Sequence, residues 1–535
     1  MRNGLSSQRS KAFGAVALAA IAFSVAGGSN EVAKGNSLLL GAVRVGNSGA
    51  PFGGDRTLLT TISPNADGLR DTAHVWFRLA KPARVRLEVL ESMNRANAPR
   101  LLEAHSSVPF GPGKHQLTWT PASKTAPRTY QLRLVVNGAT LANAVVRVLG
   151  VDAGFTRPSY RPGSYATLAI STDARLLTLR FFRAGPEGGP SLYSAYRNDE
   201  LHGVPAGDEM SLDWTHHRSH RSVLRLRVPS GPSGLYYARL ESHDGRLGFA
   251  PFVLRPSTLG QHRVAVVFPT NTWEAYNHRD VDGDGWGDTW YEVNSINTVD
   301  LTRPYLHRGV PTRFRGYQAG FLRWIYRSGK DVDFISDDEL QHVSGATLAK
   351  RYNLLVFLGH HEYMTTRAYD VVSRFRDLGG NLFFTSTTNF LYRVQRRGWR
   401  MIRTSPWREL GRPEAGLIGV QYLHNDGGKH QGKYEVVGAE QAPWAFAGTG
   451  LHNGSVFGHG GIEIDARAPS SPRGTIVLAT MRNLHGAGLS PEMTYYETRA
   501  GAKVLAAGTL NFAGTALEPG VSAVLENLWS RLSRP

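Results

Sequence analysis

Cysteine is absent from the 535 residues. That excludes disulfides, thiolate-held zinc, iron–sulfur clusters and every cysteine-nucleophile mechanism. Charge is sparse at 19% of residues, and acids are the scarcer sign, 43 Asp and Glu against 61 Lys and Arg. No apolar run is long enough to cross ~30 Å of hydrocarbon comfortably. What remains is 41% hydrophobic, far from the composition of disordered chains. The 59 glycines and 28 prolines mark many turns and a β-rich fold, and the length suggests three or four domains at ~100–200 residues each.

The formal charge of +18 and a pI near 10.1 invite a nucleic-acid reading. The basic residues are mostly arginines scattered singly, with no dense run, which argues against nucleic acid. They suit contact with a cell wall or another anionic surface. Residues 1–26 read as a secretory signal peptide: Arg2, Arg9 and Lys11 precede an apolar stretch from Ala12 to Phe23, and Ser24-Val25-Ala26 offers small residues for cleavage. The expected location is therefore secreted or extracytoplasmic, with no membrane span after cleavage. Residues 27–55 are rich in Gly, Asn and Ser and read as a flexible lead-in.

Residues 56–150 alternate apolar and polar positions, as in Ala73-His-Val-Trp-Phe-Arg-Leu and Tyr130-Gln-Leu-Arg-Leu-Val-Val, which predicts an antiparallel β-sandwich. Residues 151–257 read as a second one. From 258 to 535 the pattern changes. Val264-Ala-Val-Val-Phe and Asn353-Leu-Leu-Val-Phe-Leu are continuous apolar strands, as in sheets buried on both faces. Thr365 to Leu378 reads as an amphipathic helix closed by Gly379-Gly380. The fold class expected is multidomain: two Ig-like β-sandwich modules followed by an α/β domain with an open, mostly parallel sheet.

In such sheets, ligands bind beyond the carboxyl ends of the strands. Three segments qualify here: Pro269-Thr-Asn-Thr-Trp-Glu-Ala-Tyr-Asn277, Gly359-His-His-Glu-Tyr-Met364 and Thr387-Thr-Asn-Phe-Leu-Tyr392. If His-His-Glu stays extended, His360 and Glu362 share one side and His361 takes the other. An imidazole and a carboxylate together can ligate a metal or move protons, or simply hydrogen-bond a strand end. The segment is not a zincin helix, because Thr365 stands where HExxH needs histidine. There is no G-x-S-x-G elbow, so hydrolysis, if any, uses activated water. Asp280-Val-Asp-Gly-Asp-Gly-Trp-Gly-Asp288 places Asp280, Asp282, Asp284 and Asp288 at positions 1, 3, 5 and 9 of a calcium loop, with glycine at 6. A solvated acidic turn is the plainer alternative, and position 12 is Tyr291.

Two resemblances follow from longer motifs. Ile62-Ser-Pro-Asn-Ala-Asp-Gly-Leu-Arg-Asp-Thr72 resembles the opening of flagellar hook-capping-protein-type Ig-like domains. Asn65, Asp67 and Asp71 there could hold a cation or brace a turn. Asn271-Thr-Trp-Glu-Ala-Tyr-Asn, Arg303-Pro-Tyr305, Phe321-Leu-Arg-Trp-Ile, Gly359-His-His-Glu-Tyr, Asn389-Phe-Leu-Tyr-Arg and Met493-Thr-Tyr-Tyr-Glu occur in order. Together they resemble the large (beta) subunit of the N,N-dimethylformamidase family, whose α/β domain is similar to glutamine amidotransferases without their cysteine. The resemblance implies a mononuclear iron held by Tyr276, Tyr305 and Glu362, with His360 beside it and Asn389 and Glu497 around the substrate. Phenolate and carboxylate are hard donors suited to ferric iron. It also implies a small partner subunit, and a homo-oligomer is compatible as well.

Two functions follow. One is an exported iron-dependent hydrolase acting on a C–N bond of a small amide-like substrate through metal-activated water. The alternative is a non-catalytic cell-surface or matrix-binding protein with a degenerate α/β domain.

Overall fold

The computed structural model describes residues 39–47, 52–53, 59–92, 97–187, 200–291 and 296–535. The signal segment and most of the lead-in lie outside them. The molecule is mostly β-sheet, in several sheets, with few helices.

The first unit pairs two layers, antiparallel except where Thr60–Ile62 runs parallel to Ala139–Val148. Strands Arg44–Gly46, Ala73–Leu79 and Gly113–Trp119 face a larger sheet ordered Thr60–Ile62, Ala139–Val148, Thr129–Val136, Ala83–Glu91 and Arg100–Ala104. Period-two alternation sends Val75 and Phe77 inward from one sheet and Val85, Leu87 and Val89 from the other, into one core. The Asn65–Asp71 loop is braced internally. Asp71 accepts from the backbone N–H of Asn65, Ala66 and Gly68, and Asp67 from that of Leu69. Those bonds favour the turn over the cation.

The second unit repeats the two-layer plan. Its three-stranded sheet (Asp152–Phe155, Tyr165–Ser171, Ser222–Arg227) covers a larger sheet containing Leu176–Arg183, Gly234–Ser242 and Leu247–Leu254. Here alternation serves two cores. Tyr236, Ala238, Phe252 and Leu254 face the sandwich interior, whereas Leu235, Tyr237, Phe249 and Val253 join the core of the C-terminal region.

The C-terminal region is built on a nine-stranded sheet. Five strands run parallel in the order Asp333–Ser336, Val264–Phe268, Leu354–Phe357, Asn381–Phe384, Lys503–Ala506. Val264, Val266 and Phe268 bury one face with helices Gly320–Arg327 and Pro519–Leu532, while Ala265 and Val267 bury the other with Gly345–Arg351 and Thr366–Asp377. The sheet is less parallel than the sequence suggests. Glu492–Glu497, Ile476–Thr480, Gln431–Val436 and Val456–Gly461 extend it antiparallel. Only residues 498–502 join Glu497 to Lys503, and a parallel crossover needs a dozen or more.

The carboxyl ends of three neighbouring parallel strands lie level, with Val267 opposite Phe357 and Phe357 opposite Phe384. The chain leaves Leu354–Phe357 through Gly359, whose φ is +79° and where a Cβ would collide with the Gln318 side-chain amide. Both facts require glycine. Gly359→Ala is expected to cost about 1–3 kcal/mol in denaturant unfolding while leaving the far-UV circular dichroism of the folded form unchanged.

Candidate active site

Each of those strand ends delivers one piece of a buried polar cluster. After Val264–Phe268 comes the short helix Thr270–Ala275, whose last turn hands over to Tyr276. After Leu354–Phe357 come His360 and Glu362, and after Asn381–Phe384 the Thr385–Phe390 loop. The Tyr276 hydroxyl donates to Glu362 Oε2 and lies 2.9 Å from His360 Nε2. His360 Nε2 is 3.3 Å from Glu362 Oε2 and 4.0 Å from Glu463 Oε2. Its Nδ1 sits 3.0 Å from the Thr387 carbonyl, so Nδ1 carries a proton and Nε2 faces the cluster. His361 points the other way, its Nε2 3.1 Å from the Val267 carbonyl.

Electrostatics follow from burial. Desolvation pushes the Tyr276 phenol well above its usual pKa, and the adjoining Glu362 carboxylate pushes it further. Burial alone would lower His360, but Glu362 and Glu463 outweigh it and hold the imidazole above its ordinary value. His361 has no such neighbour, and desolvation drops it to about 3. Glu463 is raised by burial and by Glu362, against the opposing pull of His360. Among the described residues, His360 is the only cation in ion-pair contact with Glu362 or Glu463. A phenol and two carboxylates offset by one imidazole make an electron-rich site, and hard anionic donors of this kind fit a cation such as ferric iron.

Tyr305 is placed elsewhere. Its phenol hydrogen-bonds Glu274 and, with Thr270, Asn271 and Arg303, lines a cavity of about 30 Å³, room for roughly one water. Arg303 fixes that segment by donating to the carbonyls of Asp300, Glu274 and Asp288. Asn389 lies in the loop beside His361 and spends its amide on local bonds, donating to the Ser386 carbonyl and accepting from the His361 N–H. Glu497 is 45% exposed and accepts from Tyr495 and Arg531. The structure thus brings together Tyr276, His360 and Glu362, sets Asn389 behind them, and leaves Tyr305 and Glu497 with other partners.

Several residues here escaped the sequence reading. Glu463 sits on the short strand Glu463–Ala466, where it accepts from Thr388 Oγ1 (2.7 Å) and Asn425 Nδ2 (2.9 Å). The signal available was Glu463-Ile-Asp465, two acids alternating with an apolar residue that proves fully buried. Asp465 accepts from Thr387 Oγ1 and the Thr388 N–H, and burial raises it to about 7. Tyr291 packs edge-on to Tyr276 with centroids 5.0 Å apart, and Tyr363 hydrogen-bonds Glu362. With Trp290, Val394 and Met401 they form an apolar wall around the Tyr276 ring.

The acidic loop lies just after Tyr276. Asp280, Asp282 and Asp288 offer oxygens that all lie within 4.8 Å of one another. Asp284 instead accepts from the Trp286 N–H. Asp280 also accepts from Thr129 Oγ1 (2.7 Å) and from the N–H groups of Gly283 and Gly285. Burial and its acidic neighbours raise it to about 7. Gly285, at φ +89°, packs its Cα toward Val145 and Gln131, so the loop rests on the first sandwich. Glu292, the acid one position beyond the loop's twelfth, lies outside the described residues.

Residues 197–522 match the family described as N,N-dimethylformamidase beta subunit-like, C-terminal. The chain belongs to this family. No curated protein matches it. Among solved structures, a trypsin-activated alpha-2-macroglobulin from Escherichia coli is 11% identical over 42% of this chain and 17% of its own, with a TM-score of 0.23. A red sea bream transglutaminase is 10% identical over 40% and 31%, with a TM-score of 0.17. The chain therefore spans less than a third of either protein, and neither superposition is close enough to inform its fold. No helix among the described residues is long and apolar enough to cross a membrane.

Asp465 gives a test of the electrostatics. A carboxyl raised from 3.8 to about 7 in the folded state contributes stability at low pH that is lost as pH rises through the folded value. In urea unfolding, the stability of Asp465→Asn relative to the native sequence should therefore improve steadily from pH 4 to pH 7.

Proposed function

We propose that the protein is an iron-dependent hydrolase of a non-peptide C–N bond in a small amide-like substrate. The family relationship supports the reaction class. The convergence of Tyr276, His360 and Glu362 at the sheet's carboxyl edge is the observation that carries the site. Tyr276 and Glu362 would hold the iron, with His360 as their neighbour. In this reading Tyr305, the third ligand that the resemblance implies, sits apart with Glu274, and Tyr276 and Glu362 carry the metal site. A bound ferric ion supplies Lewis acidity toward an amide carbonyl and toward water.

The chain's own residues do the rest. The Thr387 carbonyl fixes the ring of His360 so that Nε2 is the atom that takes and returns a proton. Glu463, 4.0 Å from that nitrogen, stabilises the imidazolium formed. Asp465 pins the Thr387–Thr388 backbone that orients the histidine, and Asn389 keeps His361 and the loop in register. The buried aromatic wall of Trp290, Tyr363 and Tyr276 limits water around the reacting groups.

The same reading takes residues 1–26 as an export signal, 56–150 and 151–257 as Ig-like modules, and 258–535 as a glutamine amidotransferase-like domain. The Asp280–Asp288 loop is read as a calcium site, since a divalent ion would offset the burial and the acidic neighbours that raise Asp280.

Purified protein should carry about one iron per chain and release amine from short aliphatic amides. Tyr276→Phe and Glu362→Gln should lose the metal, its visible phenolate charge-transfer band and about 100-fold or more in kcat/KM. His360→Ala should keep the metal and lose about 10²–10⁴-fold in kcat. Tyr305→Phe should keep both metal and band. A protein that takes up no iron on reconstitution and cleaves no amide removes this proposal and leaves a surface-binding role.

Millimolar calcium should raise the melting temperature of the native chain by several degrees, about the effect of 1–2 kcal/mol. The shift should vanish in Asp280→Asn/Asp282→Asn.

A further inference from the structure

A cleft of about 900 Å³ opens between the second sandwich and the C-terminal region, away from Tyr276 and Glu362. That volume lies in the range of ligand-binding pockets. One lip is Tyr165, 53% exposed, with the guanidiniums of Arg225 and Arg227 at 4.5 and 4.6 Å from its ring centre. Strand register produces this lip. Tyr165 pairs with Arg227 and Thr167 with Arg225, so these side chains share the outer face while Leu168 and Leu226 turn inward. The opposite lip is the hairpin tip Arg397-Gly-Trp-Arg400, where Trp399 is 43% exposed between two exposed arginines.

Exposed Arg157 and Arg161 join the rim. Among the described residues, Arg157, Arg161, Arg225 and Arg227 form no ion pair. The acids on the floor are already matched, Glu339 by Arg255 at 2.9 Å and Asp338 by Arg396. Between the lips the wall mixes hydroxyls of Ser257, Thr258 and Thr347 with the apolar Pro256, Leu259 and Val343.

We propose that this cleft binds an acidic polysaccharide, whose pyranose faces rest on Tyr165 and Trp399 while its carboxylates meet the rim arginines. Arginine forks match carboxylates bidentately, and two aromatic platforms set apart by hydroxyl-bearing wall suit rings rich in hydroxyls. A single-stranded nucleic acid would want a continuously basic track for its phosphates, whereas the unpaired arginines here sit on the rim and the lining beneath them includes Pro256, Leu259 and Val343. The inference stands independently of the hydrolytic reading.

Binding of polygalacturonate to the full chain tests it, with dextran and poly(dT) as comparators. Polygalacturonate should bind and weaken with added salt, and dextran should not bind. Tyr165→Ala, Trp399→Ala and Arg225→Ala/Arg227→Ala should each weaken binding about tenfold, equivalent to ~1.4 kcal/mol. Arg78→Ala/Arg100→Ala removes the same charge from exposed sites on the first sandwich and should change it less than about twofold. The proposal is overturned if poly(dT) binds as tightly as polygalacturonate, if the acidic polymer binds no better than dextran, or if the cleft variants do no more than the Arg78/Arg100 control.

Discussion

The hydrogen bond from the Tyr276 phenol to the Glu362 carboxylate, with His360 against both, is the contact on which the site depends. It exists because three parallel strands end at one level and because each exit is steered. A brief helix turns the first toward Tyr276, a left-handed glycine turns the second, and a threonine-rich loop clamped by Asp465 closes the third. The groups that meet there are buried, so their charges are set by each other rather than by water. That mutual dependence separates His360, held up by two carboxylates, from its sequence neighbour His361, which burial forces to stay neutral.

The same sheet sets the larger organisation. Its strands are apolar on both sides because helices cover one face and helices with a sheet of the second sandwich cover the other. Leu235, Tyr237, Phe249 and Val253 face the C-terminal core while their alternating neighbours face the sandwich interior. The second sandwich is thus part of the wall of the C-terminal region, and the family match, which begins at residue 197, accordingly starts within that sandwich.

Much of this was legible in the chain itself. Period-two alternation marked the sandwich strands, continuous apolar runs marked Val264–Phe268 and Leu354–Phe357, and the edge rule pointed to the segments holding Tyr276, His360 and Glu362. What escaped notice depended on long-range packing. Glu463 reaches His360 from a strand one hundred residues further on, and only the fold brings it there. The ring of Tyr291 reaches Tyr276 because the acidic loop between them folds back. Tyr305 and Tyr276 are both motif tyrosines, and nothing local reveals that Arg303 turns one of them toward Glu274. The antiparallel half of the sheet was hidden for a simpler reason: strand direction is set by linker length rather than by the strand's own residues.

The loop from Asp280 to Asp288 is moored at its far end. Thr129 holds Asp280, and Gln131 and Val145 flank Gly285, so the N-terminal sandwich buttresses this span. Tyr276 and Tyr291 stand at its two ends. The first sandwich therefore braces, from outside the cluster, the stretch of chain that joins two phenol rings packed edge-on at 5.0 Å.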